Sequence, residues 1–269
     1  MAVKFALIGG GVMGLSLLSR LIAQEIYHPT EVLVSEKTPE RRDFLAQQYH
    51  VAVTADGRSC WDTAEVVFLA VKPQVFGAVA KEFAQVQISH SPLVISILAG
   101  VPLSQLEAAF PKLSVIRAMP NTPATIGAGM TALAYGSYVN AAEQEIAQRL
   151  FRAVGEVVEV PETLMDAVTG LSGSGPAYVA LLVEALADGG VAAGLPRAIA
   201  YQLALQTVLG TSQLLKETKI HPAELKDRVT SPGGTTIAGI AELERAGFRS
   251  SLIEAVKAAT KRSQELGNS

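Results

Sequence analysis

The residues best equipped for chemistry appear first at Gly9-Gly10-Gly11-Val12-Met13-Gly14, which fits the pattern G-x-G-x-x-G. The pattern follows an apolar run at residues 3–8 and opens an amphipathic one at 13–25. Strand, glycine turn and helix in that order make a phosphate seat. The glycines let the backbone turn sharply and approach a pyrophosphate, and the helix N-terminus supplies N–H groups and partial positive charge. The tip of the next strand should select the cofactor. It reads Val34-Ser35-Glu36-Lys37-Thr38, with Arg41 and Arg42 one turn into the following helix. An acidic residue at the tip favours a ribose 2′-hydroxyl, whereas Ser, Lys and Arg favour a 2′-phosphate. The signals conflict. Ser35 at the tip and the three cations weight the expectation toward NADP(H), with NAD(H) also usable.

A second constellation lies far downstream. Ser231-Pro232-Gly233-Gly234-Thr235-Thr236 precedes an apolar-periodic helix at 237–243. It directs several backbone N–H groups and up to three hydroxyls at one point, a seat for a small carboxylate, whereas an ordinary N-cap needs one hydroxyl. Between the two constellations, Ala70-Val71-Lys72-Pro73 and Leu98-Ala99-Gly100 fall at the C-terminal ends of apolar runs, where open parallel sheets bind ligands. Asn121 and Thr122, between Pro120 and Pro123, are stiffened polar groups facing the same crevice.

These positions need a frame to hold them. Apolar, β-branched-rich runs at 3–8, 32–35, 66–71, 93–97 and 115–118 alternate with helical patterns at 13–25, 39–49, 75–84 and 103–109. Strands that are apolar on both faces belong in a parallel sheet covered on both sides. Segments 130–135 and 156–160, around a helix at 141–154, extend that sheet. After Pro161 the strand signals stop, and Pro176, Pro196 and Pro222 mark helix starts. The expected architecture is an α/β Rossmann-type, doubly wound sheet over residues 1–160, then an all-α domain over 161–269 for substrate binding and dimerisation.

Composition narrows the function. Of 269 residues, 40 are Ala and 23 Gly; 22 basic residues face 25 acidic ones, for a formal net charge of −3. Neither nucleic acid nor an anionic membrane finds a basic partner surface here. A single cysteine, Cys60, excludes an internal disulfide framework and a thiolate-rich metal site, and His28, His50, His90 and His221 lack ligand spacing. No metal is expected; Cys60 reads as packing, and the histidines as surface or element-end residues. Three glycines break the only signal-peptide-like run, and no stretch of about 18 uninterrupted apolar residues follows, so a cytoplasmic location is expected. Residues 177–215 hold no lysine and one arginine, and Gly189-Gly190 costs about 1 kcal/mol of helix stability per glycine. Close helix approach against a second chain accounts for both features; a purely intramolecular core is the alternative.

Five further segments carry a specific resemblance: Ala70 to Gln74, Arg117 to Pro123, Asp166 to Tyr178, Ala187 to Val191, and Val229 to Thr236. In order and spacing, over essentially the whole chain, they resemble the pyrroline-5-carboxylate reductases. The resemblance implies that a reduced nicotinamide cofactor converts a cyclic imine to proline. It implies pyrophosphate contacts at Gly9, Gly11, Val12, Met13 and Gly14, and adenosine-ribose contacts near Ser35 and Lys37. The nicotinamide route would pass Ala70, Val71, Lys72, Pro73, Ala99 and Asn121. Ser231, Thr235 and Thr236, with Glu162 nearby, would take the substrate, against the nucleotide domain of a partner chain in an interlocked homodimer that often assembles further. Two departures stand out. Gly57 lies in Thr54-Ala55-Asp56-Gly57 where many members carry asparagine, and Arg228 also replaces an asparagine of some relatives. Two other readings remain open, a β-hydroxyacid dehydrogenase and an NADP-binding sensor without turnover. The absence of lysine between Lys112 and Lys216 opposes the first, which needs a positioned proton donor.

Overall fold

The computed structural model describes residues 3–267. In chain order the first elements are β1 (Phe5–Ile8), α1 (Val12–Ala23), β2 (Val32–Ser35), α2 (Pro39–Tyr49), β3 (Ala52–Thr54) and α3 (Arg58–Thr63). Next come β4 (Val66–Leu69), α4 (Phe76–Phe83), β5 (Leu93–Ser96), α5 (Leu103–Ala109) and β6 (Val115–Met119). Then β7 (Gly129–Tyr135), α6 (Ala141–Arg152) and β8 (Gly155–Glu159) complete one sheet of order β3-β2-β1-β4-β5-β6-β7-β8. The pairs from β3 to β6 are parallel, β7 is antiparallel to β6, and β8 runs parallel to β7.

Alternation along the strands builds two cores. Phe5 and Leu7 of β1 join Leu17, Leu18, Leu21 and Phe151 on one face. Ala6 and Ile8 join Cys60, Trp61, Val79, Phe83 and Leu106 on the other. Burial on both faces explains why these strands read as continuous apolar runs.

The remaining elements are helical: α7 (Met165–Val168), α8 (Gly175–Ala192), α9 (Arg197–Thr218), α10 (Pro222–Arg228), α11 (Thr235–Arg245) and α12 (Phe248–Gly267). Pro222 stands in the first turn of α10 and Pro176 in that of α8, whereas Pro196 is the N-cap of α9. The chain divides into two compact units. One holds the residues up to Gly173 together with those from Ala258 onward; the other is Ser174–Lys257. The division therefore falls beyond Pro161. Met165 is buried in the sheet's second core, and Asp166 accepts a 2.6 Å hydrogen bond from buried Ser263, so the segment after β8 belongs with the sheet.

The stretch Glu162–Ala192 is long and apolar enough to cross a membrane by length and composition, which counting uninterrupted apolar residues does not reveal. Along it stand Glu162, Asp166, Glu184 and Asp188, the first two ion-paired or hydrogen-bonded in the sheet unit. Charged groups of this kind oppose insertion into lipid.

In the second unit, α8 and α9 pack around buried Val183, Ala187, Ala200 and Ala204, with Val191 and Val208 partly buried against them. Gly190 permits that packing, since a Cβ there would stand 3.0 Å from Ala200 Cβ. Gly189 meets nothing within 4 Å.

Candidate functional site

The glycine loop is shaped by contacts that exclude side chains. Gly9 has φ +103°, and a Cβ on it would lie 2.7 Å from the Ala70 carbonyl oxygen and 2.9 Å from Val71 Cγ1. A Cβ on Gly14 would lie 2.7 Å from the Gly9 oxygen. These two glycines let β1, α1 and the end of β4 converge. Gly11 differs. It is the N-cap of α1, its nearest neighbour would be 3.9 Å from a Cβ, and no side chain caps the helix. The first N–H groups of α1 therefore open toward the crevice with no acidic residue in the first turn, the arrangement a pyrophosphate requires. The residues present fit a dinucleotide on this geometry.

The crevice has a volume of about 290 Å3 and brings together most of the expected cofactor residues: Gly9, Gly11, Ser35, Lys37, Ala70, Val71 and Lys72. Val12, Met13, Gly14 and Pro73 adjoin it in sequence, and Ala99 is exposed just after β5. Glu36 and Glu82 also line it, and residue types and spacing give no sign of Glu82 as a ligand-site group. Glu36 lies where the cofactor signals conflicted. Its carboxylate accepts the Gly10 N–H at 3.1 Å and the Thr38 N–H at 2.9 Å. Partial burial works against its ionisation, but those two donors outweigh it and hold the carboxyl below its ordinary range. Arg41 donates to the Gly10 carbonyl, and Arg42 donates to the carbonyls of Glu36 at 2.8 Å and Lys37 at 2.7 Å. Two of the three cations expected to face a 2′-phosphate thus bond to loop backbone. The third, Lys37, pairs with Glu82 at 2.7 Å.

Asn121 and Glu162 have internal roles that sequence did not reveal. Asn121 accepts the Met130 N–H at 2.8 Å and donates to the Ser172 carbonyl at 3.2 Å, tying β6 to β7 and to the turn before α8. Its amide is a positioning group. Glu162, expected near the substrate, has partners within the frame. Its Oε1 accepts the Leu103 N–H at 2.6 Å, capping α5, and pairs with Arg117 Nη1 at 3.0 Å. Arg117 is only 6% exposed, so Glu162 neutralises a buried cation of β6.

In the second unit the Ser231–Thr236 loop has the expected form. Gly233 takes φ +67°, Gly234 is the N-cap of α11, and the Gly234 N–H donates to the Ser231 carbonyl at 3.1 Å. No side chain caps α11, whose first two residues are Thr235 and Thr236. Ser231 and Thr235 are exposed, and Thr236 is half-buried. An N-terminus left open beside hydroxyls is suited to a carboxylate.

Arg228 pairs with Glu224 at 2.8 Å one turn back on α10. Cys60 is fully buried beside Trp61, and burial pushes its thiol up to about 12. His28 and His221 are N-caps and His50 a C-cap, while His90 contacts the Ala64 carbonyl at 2.9 Å. Among the described residues, no group of three or more His, Cys, Asp or Glu could hold a metal ion.

Comparison with known proteins matches both units. Residues 162–266 match the family model of pyrroline-5-carboxylate reductase dimerisation, and residues 4–100 that of NADP oxidoreductase, coenzyme F420-dependent. The pyrroline-5-carboxylate reductase of Synechocystis is 60% identical over 267 residues, covering 99% of each chain. The chain belongs to the pyrroline-5-carboxylate reductase family. The solved reductase of Coxiella burnetii superposes with a TM-score of 0.91 at 36% identity, covering 99% of each chain. That of Plasmodium falciparum, solved with NADP bound, gives 0.86 at 28% identity and covers 98% of each. Membership makes the chain an NADP-linked oxidoreductase of proline biosynthesis and replaces the dehydrogenase and sensor readings.

Proposed function

We propose that this reductase takes 1-pyrroline-5-carboxylate as its ring imine and delivers hydride to the C=N carbon, leaving the secondary amine of L-proline. The observation that carries the reading is the pair of helix N-termini without side-chain caps, α1 behind Gly11 and α11 behind Gly234, each opened by glycine. The first seats a pyrophosphate and the second a small carboxylate. When bound, the reduced nicotinamide supplies the hydride. The chain's own residues hold and orient: Gly9, Gly11, Val12 and Met13 the pyrophosphate, and Ser35 and Lys37 the adenosine ribose. Ala70, Val71, Lys72 and Ala99 flank the nicotinamide path. Ser231 and Thr235 receive the carboxylate, and the Thr236 hydroxyl orients the ring nitrogen. An imine that binds already protonated needs no strong general acid, in keeping with motifs that hold no histidine.

The partner is a second copy of the chain, docked through α8 and α9, with the loop of one copy serving the crevice of the other. Leu181 (65% exposed) and Leu209 (57% exposed) support this, because a single chain leaves them in water. No charged membrane or nucleic-acid surface enters the reading, and a cytoplasmic location is consistent with a biosynthetic reductase. Mixing the protein with NADPH and pyrroline-5-carboxylate and following the reduced cofactor's absorbance tests the activity. No consumption above background overturns it. Leu209→Asp should shift the native mass measured by light scattering from dimer or larger toward monomer.

A further inference from the structure

At the tip of β2 a hydroxyl, an ammonium and a carboxylate meet. Lys37 Nζ and Glu82 Oε1 lie 2.7 Å apart, joining the β2–α2 connection to α4 across 45 residues of sequence. Both line the dinucleotide crevice, as does buried Ser35, the last residue of β2. Gly57 shows where the carboxylate sits. A Cβ on Gly57 would lie 2.5 Å from Glu82 Oε2 and 3.5 Å from Ser35 Oγ. The bare glycine therefore leaves the space that Glu82 fills beside Ser35.

We propose that Glu82 is a specificity-determining residue that opposes a 2′-phosphate on the dinucleotide, by holding Lys37 and by placing its own charge beside Ser35. The proposal rests on the dinucleotide reading of this crevice. A ribose 2′-hydroxyl can donate to the Glu82 carboxylate and leave the Lys37 pair intact. A 2′-phosphate carries roughly −1.5 to −2 charge, by analogy with other phosphate monoesters. It must take Lys37 from Glu82 and then lie close to a like charge. Neighbouring cations give it little help. Arg58 is bidentate on Asp56, with contacts at 2.7 and 2.9 Å, and Arg41 and Arg42 donate to loop carbonyls. Lys37 is thus the cation on which 2′-phosphate recognition turns, and Glu82 competes for it.

The test is calorimetric titration of the intact protein with NADP+ and NAD+ separately, at low salt and without substrate, for wild type and Glu82→Gln. Glutamine keeps the size and the hydrogen-bonding oxygen while removing the charge. The ratio Kd(NADP+)/Kd(NAD+) should fall about tenfold in Glu82→Gln, the scale expected of one charge pair near a surface, and the fall should shrink in high salt. Gly57→Ala, whose Cβ displaces the same carboxylate, should move the ratio in the same direction. The ratio of kcat/KM for NADPH to that for NADH should rise correspondingly. An unchanged ratio in Glu82→Gln, or an equal loss of affinity for both dinucleotides, overturns the proposal and leaves Glu82 a structural group. Failure of wild type to bind either dinucleotide overturns instead the reading on which the proposal rests.

Discussion

Glu162 Oε1 stands 3.0 Å from Arg117 Nη1 and 2.6 Å from the Leu103 N–H, so one carboxylate oxygen joins β6, the start of α5 and the turn after β8. The pair is asymmetric. Arg117 is 6% exposed and cannot recover hydration if its partner is lost, whereas Glu162 keeps about a third of its side chain in water.

Glu162→Ala should therefore lower folding stability by about 1–3 kcal/mol, the scale of leaving a buried cation unpaired and a helix start uncapped, discounted for partial hydration. Urea unfolding measures it. A fall in kcat with unchanged stability would return Glu162 to the reaction itself.

The two kinds of glycine in the dinucleotide loop should separate experimentally. Gly9→Ala places a Cβ against the Ala70 carbonyl at positive φ, so both Tm and NADP+ affinity should drop. Gly11→Ala meets no close neighbour within the chain and should hold its Tm while losing dinucleotide affinity at least tenfold, because only a bound pyrophosphate needs that space. Equal Tm losses in the two variants would contradict this division.

Thr236→Ala should reduce kcat/KM with pyrroline-5-carboxylate by several-fold or more, on the scale of one or two lost hydrogen bonds, with NADP+ affinity retained. Unchanged steady-state kinetics would remove Thr236 from substrate binding.

Burial holds the Cys60 thiol protonated up to about 12, against an ordinary value of 9.0. Between those values the folded chain keeps a proton that the unfolded chain releases. The contribution to stability is whole below pH 9 and is lost as pH rises toward 12. Stability measured by urea unfolding should fall with pH above about 9, and Cys60→Ala should flatten part of that slope. At pH 8, Cys60 should react with a thiol reagent only when the chain unfolds; rapid labelling of the native protein would contradict its burial.

The local devices of this protein are legible from the chain alone because they are local. A glycine pattern after an apolar run and before an amphipathic one determines a strand–turn–helix seat. Continuous apolar strands determine a sheet covered on both faces. Ser231 to Thr236 determines an open helix start, and five spaced motifs identify the family. What the tertiary structure decided are the partners of charged side chains. Glu162, 45 residues from Arg117 and 59 from Leu103, acquired two partners in the frame. Lys37, 45 residues from Glu82, moved from a free cation to a contested one. Of the Gly189-Gly190 pair, one glycine proved to serve α8–α9 packing, while the other meets nothing within its own chain. A backbone turn is set by the conformations its few neighbouring residues allow. A charge is neutralised by whatever the fold brings within about 3–4 Å, and no sequence spacing encodes that distance.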